Sequence, residues 1–247
     1  MSVSIVLTAF NRPNQLLRTL KSISMQDYRP IEVIVAEDGD DGRTQYLAKQ
    51  NGARYVNKKR YDLPAFQNPA RVHNLGIRAA QNDIVILQGA EVEYTNPTDV
   101  SKLIAPILED PSIVTTPIVA SLHESGEFFE WYCHPTEGRR TGWIVNFCLA
   151  MTRERLIQIH GFDEGFVGYG YEDDFLTFCL RESGAKFQYI PEVRVNHQWH
   201  DRSKYIFQEG FTGSSTSQYA YGVELRRRVE AGEQPAIANF GKDWGRG

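Results

Sequence analysis

Short β-rich runs alternate with helix-like segments through the first hundred residues, and this alternation restricts the fold more than any other feature of the chain. Ser4 to Thr8 is a short apolar run, and Asn11-Arg12-Pro13-Asn14 after it has the form of a helix start with proline near the first turn. Leu16, Leu17, Leu20 and Ile23 continue at helical spacing. Ile31 to Ala36 repeats the strand pattern, Arg43 to Lys49 the helical one, and Arg54-Tyr55-Val56 gives a third strand. Ala70 to Gln81 predicts another helix and Asp83 to Leu87 a fourth strand. Continuous apolar strands joined by helices imply an α/β fold, with a mostly parallel central sheet covered on both faces. Ligands of such sheets gather at the carboxyl ends of the strands. Three polar segments fall there: Thr8 to Arg12, Glu37 to Gly42, and Gln88 to Glu93.

The second half is less regular. Ile113 to Ala120 predicts a strand, and Phe128 to Arg140 an exposed aromatic loop. A strand-like run follows at Trp143 to Met151, then helices at Arg153 to His160 and Phe175 to Ser183. Lys186 to Ile190 and Val193 to Asn196 read as two strands divided by Pro191. No linker separates the halves. The expectation is one domain over 1–210, with halves 1–110 and 111–210 and a smaller sheet in the second, followed by a tail or lid over 211–247.

Charge excludes a global basic field: 27 Lys and Arg against 31 Asp and Glu leave a net charge of −4. Three cysteines, Cys133, Cys148 and Cys179, form no CxxC pair, which fits a reducing compartment, and Cys148 and Cys179 sit in apolar runs that read as core. The apolar stretch Val3 to Phe10 is short and reads as a strand, not a membrane span, so the expected location is cytoplasmic.

One stretch carries chemistry on its face. Gly161-Phe162-Asp163-Glu164 is followed by Gly168-Tyr169-Gly170-Tyr171-Glu172-Asp173-Asp174. Glycine lets a ligand approach the backbone, a neighbouring aromatic offers a flat face to a sugar, and a carboxylate can act as a general base. The same acids would also serve as the first turn of a helix, where they complement its dipole.

In their order and spacing these segments resemble family 2 glycosyltransferases of the GT-A fold. Thr8-Ala9-Phe10-Asn11-Arg12 is similar to the family's opening strand-end motif, and Glu37 to Asp41 to its acidic second loop. Ala70-Arg71-Val72-His73-Asn74-Leu75-Gly76 resembles its A-R-N-x-G helix, and the acid-rich loop its G-W-G-x-E-D-x-D motif. The resemblance implies a nucleotide-diphosphate sugar donor, with UDP expected, bound by residues 1–110, and a glycan or other hydroxyl acceptor bound by 111–210. Thr8, Phe10 and Asp38 would contact base and ribose, and Arg71 the nucleotide, with Arg12 and Gln88 also on the donor side. Asp173 matches the catalytic base and implies inversion at the anomeric carbon, while Glu172 would hold a hydroxyl. Trp143, Tyr169, Gly170, Tyr171 and Asp174 would line the substrate.

The chain departs from the family at the metal motif. The family's Asp-x-Asp after the fourth strand is replaced by Gln88-Gly89-Ala90-Glu91-Val92-Glu93, so Gln88 and Glu91 are half a site, with Glu93 an alternative. The family's later histidine corresponds to His197, with His200 the second choice, and a mixed Glu/His set suits Mn²⁺ better than Mg²⁺. Without a metal, Arg71, Lys58, Lys59, Arg60 or Arg202 would neutralise the leaving diphosphate. Three rival readings remain. A non-catalytic nucleotide-sugar or glycan-binding module fits the missing Asp-x-Asp. A nucleotidyltransferase lacks its glycine-rich loop here. A DNA-base glycosyltransferase would use Lys58-Lys59-Arg60 and Arg139-Arg140 on phosphates.

Overall fold

The computed structural model describes residues 1–39, 41–57, 69–137, 140–141, 147–166, 170–201 and 215–245. The expected alternation is present. Strand β1 (Val3–Ala9) leads to helix α1 (Pro13–Ser24), β2 (Ile31–Glu37), α2 (Gly42–Gln50), β3 (Arg54–Asn57), α3 (Pro69–Ala79) and β4 (Ile84–Gly89). β5 (Val92–Tyr94), α4 (Asp99–Glu109), β6 (Ile113–Leu122), β7 (Phe128–His134) and β8 (Arg140–Thr141) follow. The chain continues through β9 (Cys148–Thr152), α5 (Arg153–Gln158), α6 (Glu172–Glu182), β10 (Lys186–His197) and α7 (Ser215–Glu230).

Among the described residues the strands form one sheet in the order β3-β2-β1-β4-β9-β6-β10-β5. β1 lies parallel to β2 and β4, and β6 parallel to β10, while β9 runs antiparallel between the two parallel groups. The smaller sheet expected in the second half is a branch of this sheet, because β7 leaves the edge of β6 and carries β8. Apolar residues fill both faces. Leu7, Leu16, Ile86 and Leu103 pack on one side, and Val6, Ile77, Phe162, Phe166 and Phe175 on the other. Helix α3 comes so close that a Cβ on Gly76 would meet Val6 Cγ1 at 2.3 Å, so only glycine allows this approach.

Several elements differ from the sequence expectation, the short strands β5 and β8 among them. Phe128–His134 is a strand, not a loop, because its backbone pairs with β6 through two register shifts that no apolar alternation signals. The segments on either side of Pro191 are one strand. Proline lacks the donor for a ladder bond, so the register with β6 slips between Ile190 and Arg194 and then resumes. Helix α4 lies beyond the expected elements; Val100, Leu103, Ile104 and Ile107 form its buried stripe despite Pro106 inside it. All three cysteines are free and buried. No helix among the described residues is long and apolar enough to cross a membrane.

Residues 215–245, part of the segment set apart as tail or lid, pack on the body. Trp244 and Ala238 join the core that contains Phe162 and Phe166. Asp163 is the joint. Its carboxylate accepts from Tyr221 Oη at 2.8 Å, from the Asn239 amide at 2.9 Å and from the Gly165 amide at 2.9 Å.

Candidate active site at the carboxyl edge of the sheet

The ends of β1, β2 and β4 are tied together by backbone bonds. Asp38 N donates to Ala9 O and Ala90 N to Thr8 O, both at 2.9 Å. Phe10 is buried beside Gly39, and Thr8 and Asp38 are half-buried at the same edge. Beneath Asp38, the buried Glu37 carboxylate accepts from Tyr55 Oη at 2.5 Å. Asn57 Nδ2 donates to Tyr55 Oη at 2.8 Å and to Gly39 O at 2.6 Å. Burial raises the Glu37 pKa against these hydrogen bonds. The Glu37–Tyr55–Asn57 chain is a floor that fixes the acidic loop. Sequence reasoning missed it because its members lie on two strands.

The same edge carries a mixed carboxylate–imidazole cluster. Ligand atoms of Glu91, His197 and His200 all lie within 4.8 Å of one another. Strand pairing builds it: β5 runs antiparallel to β10 with Val92 opposite His197, and Gln198 N donates to Glu91 O at 2.9 Å. Helix α1 holds both arms. Thr19 Oγ1 donates to Ala90 O at 2.8 Å and accepts from Gln198 Nε2 at 3.0 Å, and Gln15 Nε2 donates to Trp199 O at 2.9 Å. A Cβ on Gly89 would sit 2.9 Å from Glu91 Oε1, so glycine leaves the room into which the carboxylate folds. His197 is boxed by the rings of Phe147 and Tyr132, with centroids at 4.9 and 5.9 Å.

Arg12 faces this cluster. Its Nη1 lies 2.7 Å from Glu91 Oε2, while Glu91 Oε1 lies 3.8 Å from His197 Nε2. Burial pushes the Glu91 pKa up, but Arg12, His197 and His200 outweigh it and hold the carboxyl at about 2. Glu91 is therefore ionised across the physiological range. One carboxylate and two imidazoles within mutual reach could hold a divalent first-row cation. Gln88 stands apart from them: it is fully buried, and its Nε2 donates to Val92 O at 2.7 Å.

Helix α3 connects this edge to the acid-rich loop. Asn74 is fully buried; its Oδ1 accepts from Phe162 N at 2.8 Å, and its Nδ2 donates to Phe162 O at 2.8 Å and to Glu164 Oε1 at 2.9 Å. Gly245 N also donates to Glu164 Oε1, at 2.8 Å, and Arg71 Nε lies 3.9 Å from Glu164 Oε2. His73 stacks on Phe162 at 4.4 Å, and burial lowers its pKa to about 3 against the pull of Glu91, so it is neutral.

At the start of α6 the backbone is strained. Gly170 has φ 104° and Tyr171 φ 68°, a left-handed conformation that costs a side-chain-bearing residue on the order of 1–2 kcal/mol. This turn delivers Glu172, Asp173 and Asp174 to the first helical turn. Glu172 is buried, and its Oε2 has no hydrogen-bond partner among the described residues. Burial, then the charges of Asp173 and Asp174, push its pKa up to about 8. Asp173 is half-buried, and one of its oxygens accepts from Asp174 N at 3.0 Å. Asp174 is half-buried, and its carbonyl accepts from Arg226 Nη2 at 3.1 Å. The Tyr171 ring lies 5.3 Å from that of Tyr219. Trp143 and Tyr169 lie outside the described residues, as do Lys58, Lys59, Arg60, Arg139 and Arg202, and the side chain of Arg140 is not described.

The family model described as glycosyl transferase family 2 matches residues 4–173. Polypeptide N-acetylgalactosaminyltransferase 8 of Drosophila melanogaster is 29% identical over 231 residues, which cover 81% of this chain and 38% of that protein. Hyaluronan synthase of Pasteurella multocida is 30% identical over 243 residues, covering 80% of this chain and 24% of that protein. The chain thus spans well under half the length of these curated relatives. Among solved structures, GalNAc-T7 with UDP, GalNAc and Mn²⁺ superposes with a TM-score of 0.69 at 18% identity, covering 96% of this chain and 52% of that one. The mannosyltransferase PcManGT from Pyrobaculum calidifontis, in complex with GDP-Man and Mn²⁺, gives 0.60 at 15% identity, covering 95% of this chain and 76% of that one. These structures share the GT-A fold with the chain.

Proposed function

The chain belongs to glycosyl transferase family 2, and we propose that it moves a sugar from a UDP-sugar to a hydroxyl acceptor with inversion, residues 1–110 holding the donor and 111–210 the acceptor. The observation that carries this reading is the Glu91–His197–His200 cluster at the sheet edge that also bears Phe10 and Asp38. That solved neighbours hold UDP or GDP-Man together with Mn²⁺ supports it further.

Glu91, His197 and His200 would hold the cation. When bound, it supplies positive charge to the departing diphosphate. Arg12 already balances the charge of Glu91 at 2.7 Å, so the diphosphate meets an edge that is not net negative. Asp38 would accept the ring N–H of uracil, which gives the base preference. Arg71 would add a planar cation on the α3 side. Across the reaction centre, Asp173 takes the proton of the acceptor hydroxyl as the new glycosidic bond forms and the bond to the diphosphate breaks. Glu172 keeps its proton near neutrality because its pKa is pushed up to about 8. It can therefore donate a hydrogen bond to a sugar hydroxyl, while Asp173 acts as the base. The Gly170–Tyr171 turn brings the backbone close to the substrate, and Tyr171, with Tyr169 and Trp143, would give the sugar an aromatic wall.

Melting curves with UDP-, GDP- and CDP-sugars, each with and without Mn²⁺, test the donor assignment together with release of free sugar. The expected result is selective stabilisation by UDP-sugar plus Mn²⁺, about 2.7 kcal/mol at a hundredfold excess over Kd, with slow sugar release. Stabilisation without any sugar release or transfer would favour the non-catalytic binding module instead. No response to any nucleotide would refute both.

A further inference from the structure

Arginine is a poor residue for the backbone place that Arg12 holds. It stands before Pro13 at the start of α1, and its side chain makes no capping hydrogen bond. Helix starts favour side-chain oxygens, which accept from the first amides. A guanidinium has only donors, and its charge meets the positive end of the helix dipole. Asn11 just ahead takes a left-handed φ of 50°. A local choice that works against its own helix points to a function elsewhere. Here the side chain is spent on the cation cluster, with Nη1 2.7 Å from Glu91 Oε2.

The Glu91 carboxylate is shared. Oε2 faces Arg12, and Oε1 lies 3.8 Å from His197 Nε2. Glu91 is the one carboxylate of the Glu91–His197–His200 group. Its charge is thus balanced by a guanidinium before any divalent ion enters, and two positive charges on one carboxylate repel at short range. The pair lies at the rim of the cluster: the Arg12 side chain is 18% exposed, His200 is half-buried, and Trp199 beside it is exposed.

We propose that Arg12 is an exchange residue that couples nucleotide to cation. With no nucleotide present it occupies Glu91 and keeps the affinity for a divalent cation low. A diphosphate offers the guanidinium a more highly charged partner that matches its planar fork. Arg12 then turns from Glu91 to the phosphate, and the carboxylate is released to the cation. Each ligand therefore improves the binding of the other by the same factor. The proposal rests on the transferase reading and deepens it, because charge balance at this edge would by itself require no exchange.

The test compares the whole chain with Arg12→Gln, which removes the charge, and Arg12→Lys, which keeps it. Mn²⁺ affinity is read from the electron paramagnetic resonance signal of the free ion, with and without UDP, against a protein-free titration that accounts for Mn²⁺ held by UDP in solution. UDP affinity is read by calorimetry in metal-free buffer. In the unmodified chain UDP should tighten Mn²⁺ by about tenfold or more. Arg12→Gln should bind Mn²⁺ alone about tenfold more tightly, bind UDP alone about tenfold more weakly, and lose most of the coupling. Arg12→Lys should stay near the unmodified chain. A gain in Mn²⁺ affinity is a result that damage to the fold would not produce. If Arg12→Gln binds Mn²⁺ alone no more tightly, or binds UDP alone as well as before, the exchange is overturned and the cation site stands. Mn²⁺ binding by the unmodified chain that UDP leaves unchanged overturns the exchange likewise, with no variant needed. Absence of Mn²⁺ binding in every protein, with and without UDP, overturns the cation site and the exchange with it.

Discussion

Glu91 and Glu172 are the same residue type, both buried, yet their carboxyls are driven in opposite directions. Burial raises both. At Glu91 the charges of Arg12, His197 and His200 reverse the effect and hold it at about 2. At Glu172 the neighbours are Asp173 and Asp174, which add to burial and push it to about 8. The lesson is that burial alone does not assign a role to a carboxylate; the charges it faces do. A permanent anion among imidazoles suits a cation, whereas a neutral acid beside a second carboxylate suits proton transfer and hydroxyl recognition.

Substitutions at the two sites should therefore fail differently. The largest effect is expected from Asp173→Asn, which removes the proton acceptor. Transfer should fall by about 10²–10⁴ in a direct sugar-transfer assay, while the UDP–Mn²⁺ melting shift persists. Full turnover by this variant would refute the base assignment. Glu91→Ala should act on stability and on metal together. It removes the anion that faces Arg12 and the two imidazoles, at a cost on the order of 1.5–3 kcal/mol in chemical denaturation. It should also abolish the Mn²⁺-dependent part of the melting shift, and a variant that keeps this shift would move the cation elsewhere.

Glu172→Gln separates the sites by pH. The folded pKa of Glu172 is raised, so its protonated form stabilises the fold fully below the ordinary carboxylate value, and this stability is lost as pH rises towards about 8. The Gln variant should flatten the decline in melting temperature between about pH 5 and 8. An unchanged pH profile would show that Glu172 does not titrate as described. The smallest effect is expected from Asp38→Asn, which should reduce the preference for UDP over CDP by about tenfold in competition binding, one charged hydrogen bond's worth. Unchanged selectivity would take the base contact away from Asp38.

Legibility in the sequence followed the locality of the physics. The units from β1 to β4 were readable because each strand and helix carries its own apolar period. β7 was not, because its strand character comes from pairing with β6 through two register shifts. The acid-rich loop was readable because its glycines, tyrosines and carboxylates are contiguous. Glu91 and His197 were reached only through the family resemblance, which marks the places after β4 and near the end of β10. Arg12 against Glu91 was not readable, because only the fold of the β1–α1 turn brings them together. Asp163 was misleading in isolation. It stands in the acid-rich run, yet it is spent on Tyr221, Asn239 and Gly165, and so fastens the C-terminal segment to the body.

The most direct measurement is diffraction from crystals soaked with UDP and Mn²⁺, with the metal located by its anomalous signal. The account predicts one Mn²⁺ peak among Glu91, His197 and His200, uracil beside Asp38, and the diphosphate between that metal and the Glu172–Asp173 turn. A nucleotide bound away from Asp38, or a metal peak remote from Glu91, would contradict it.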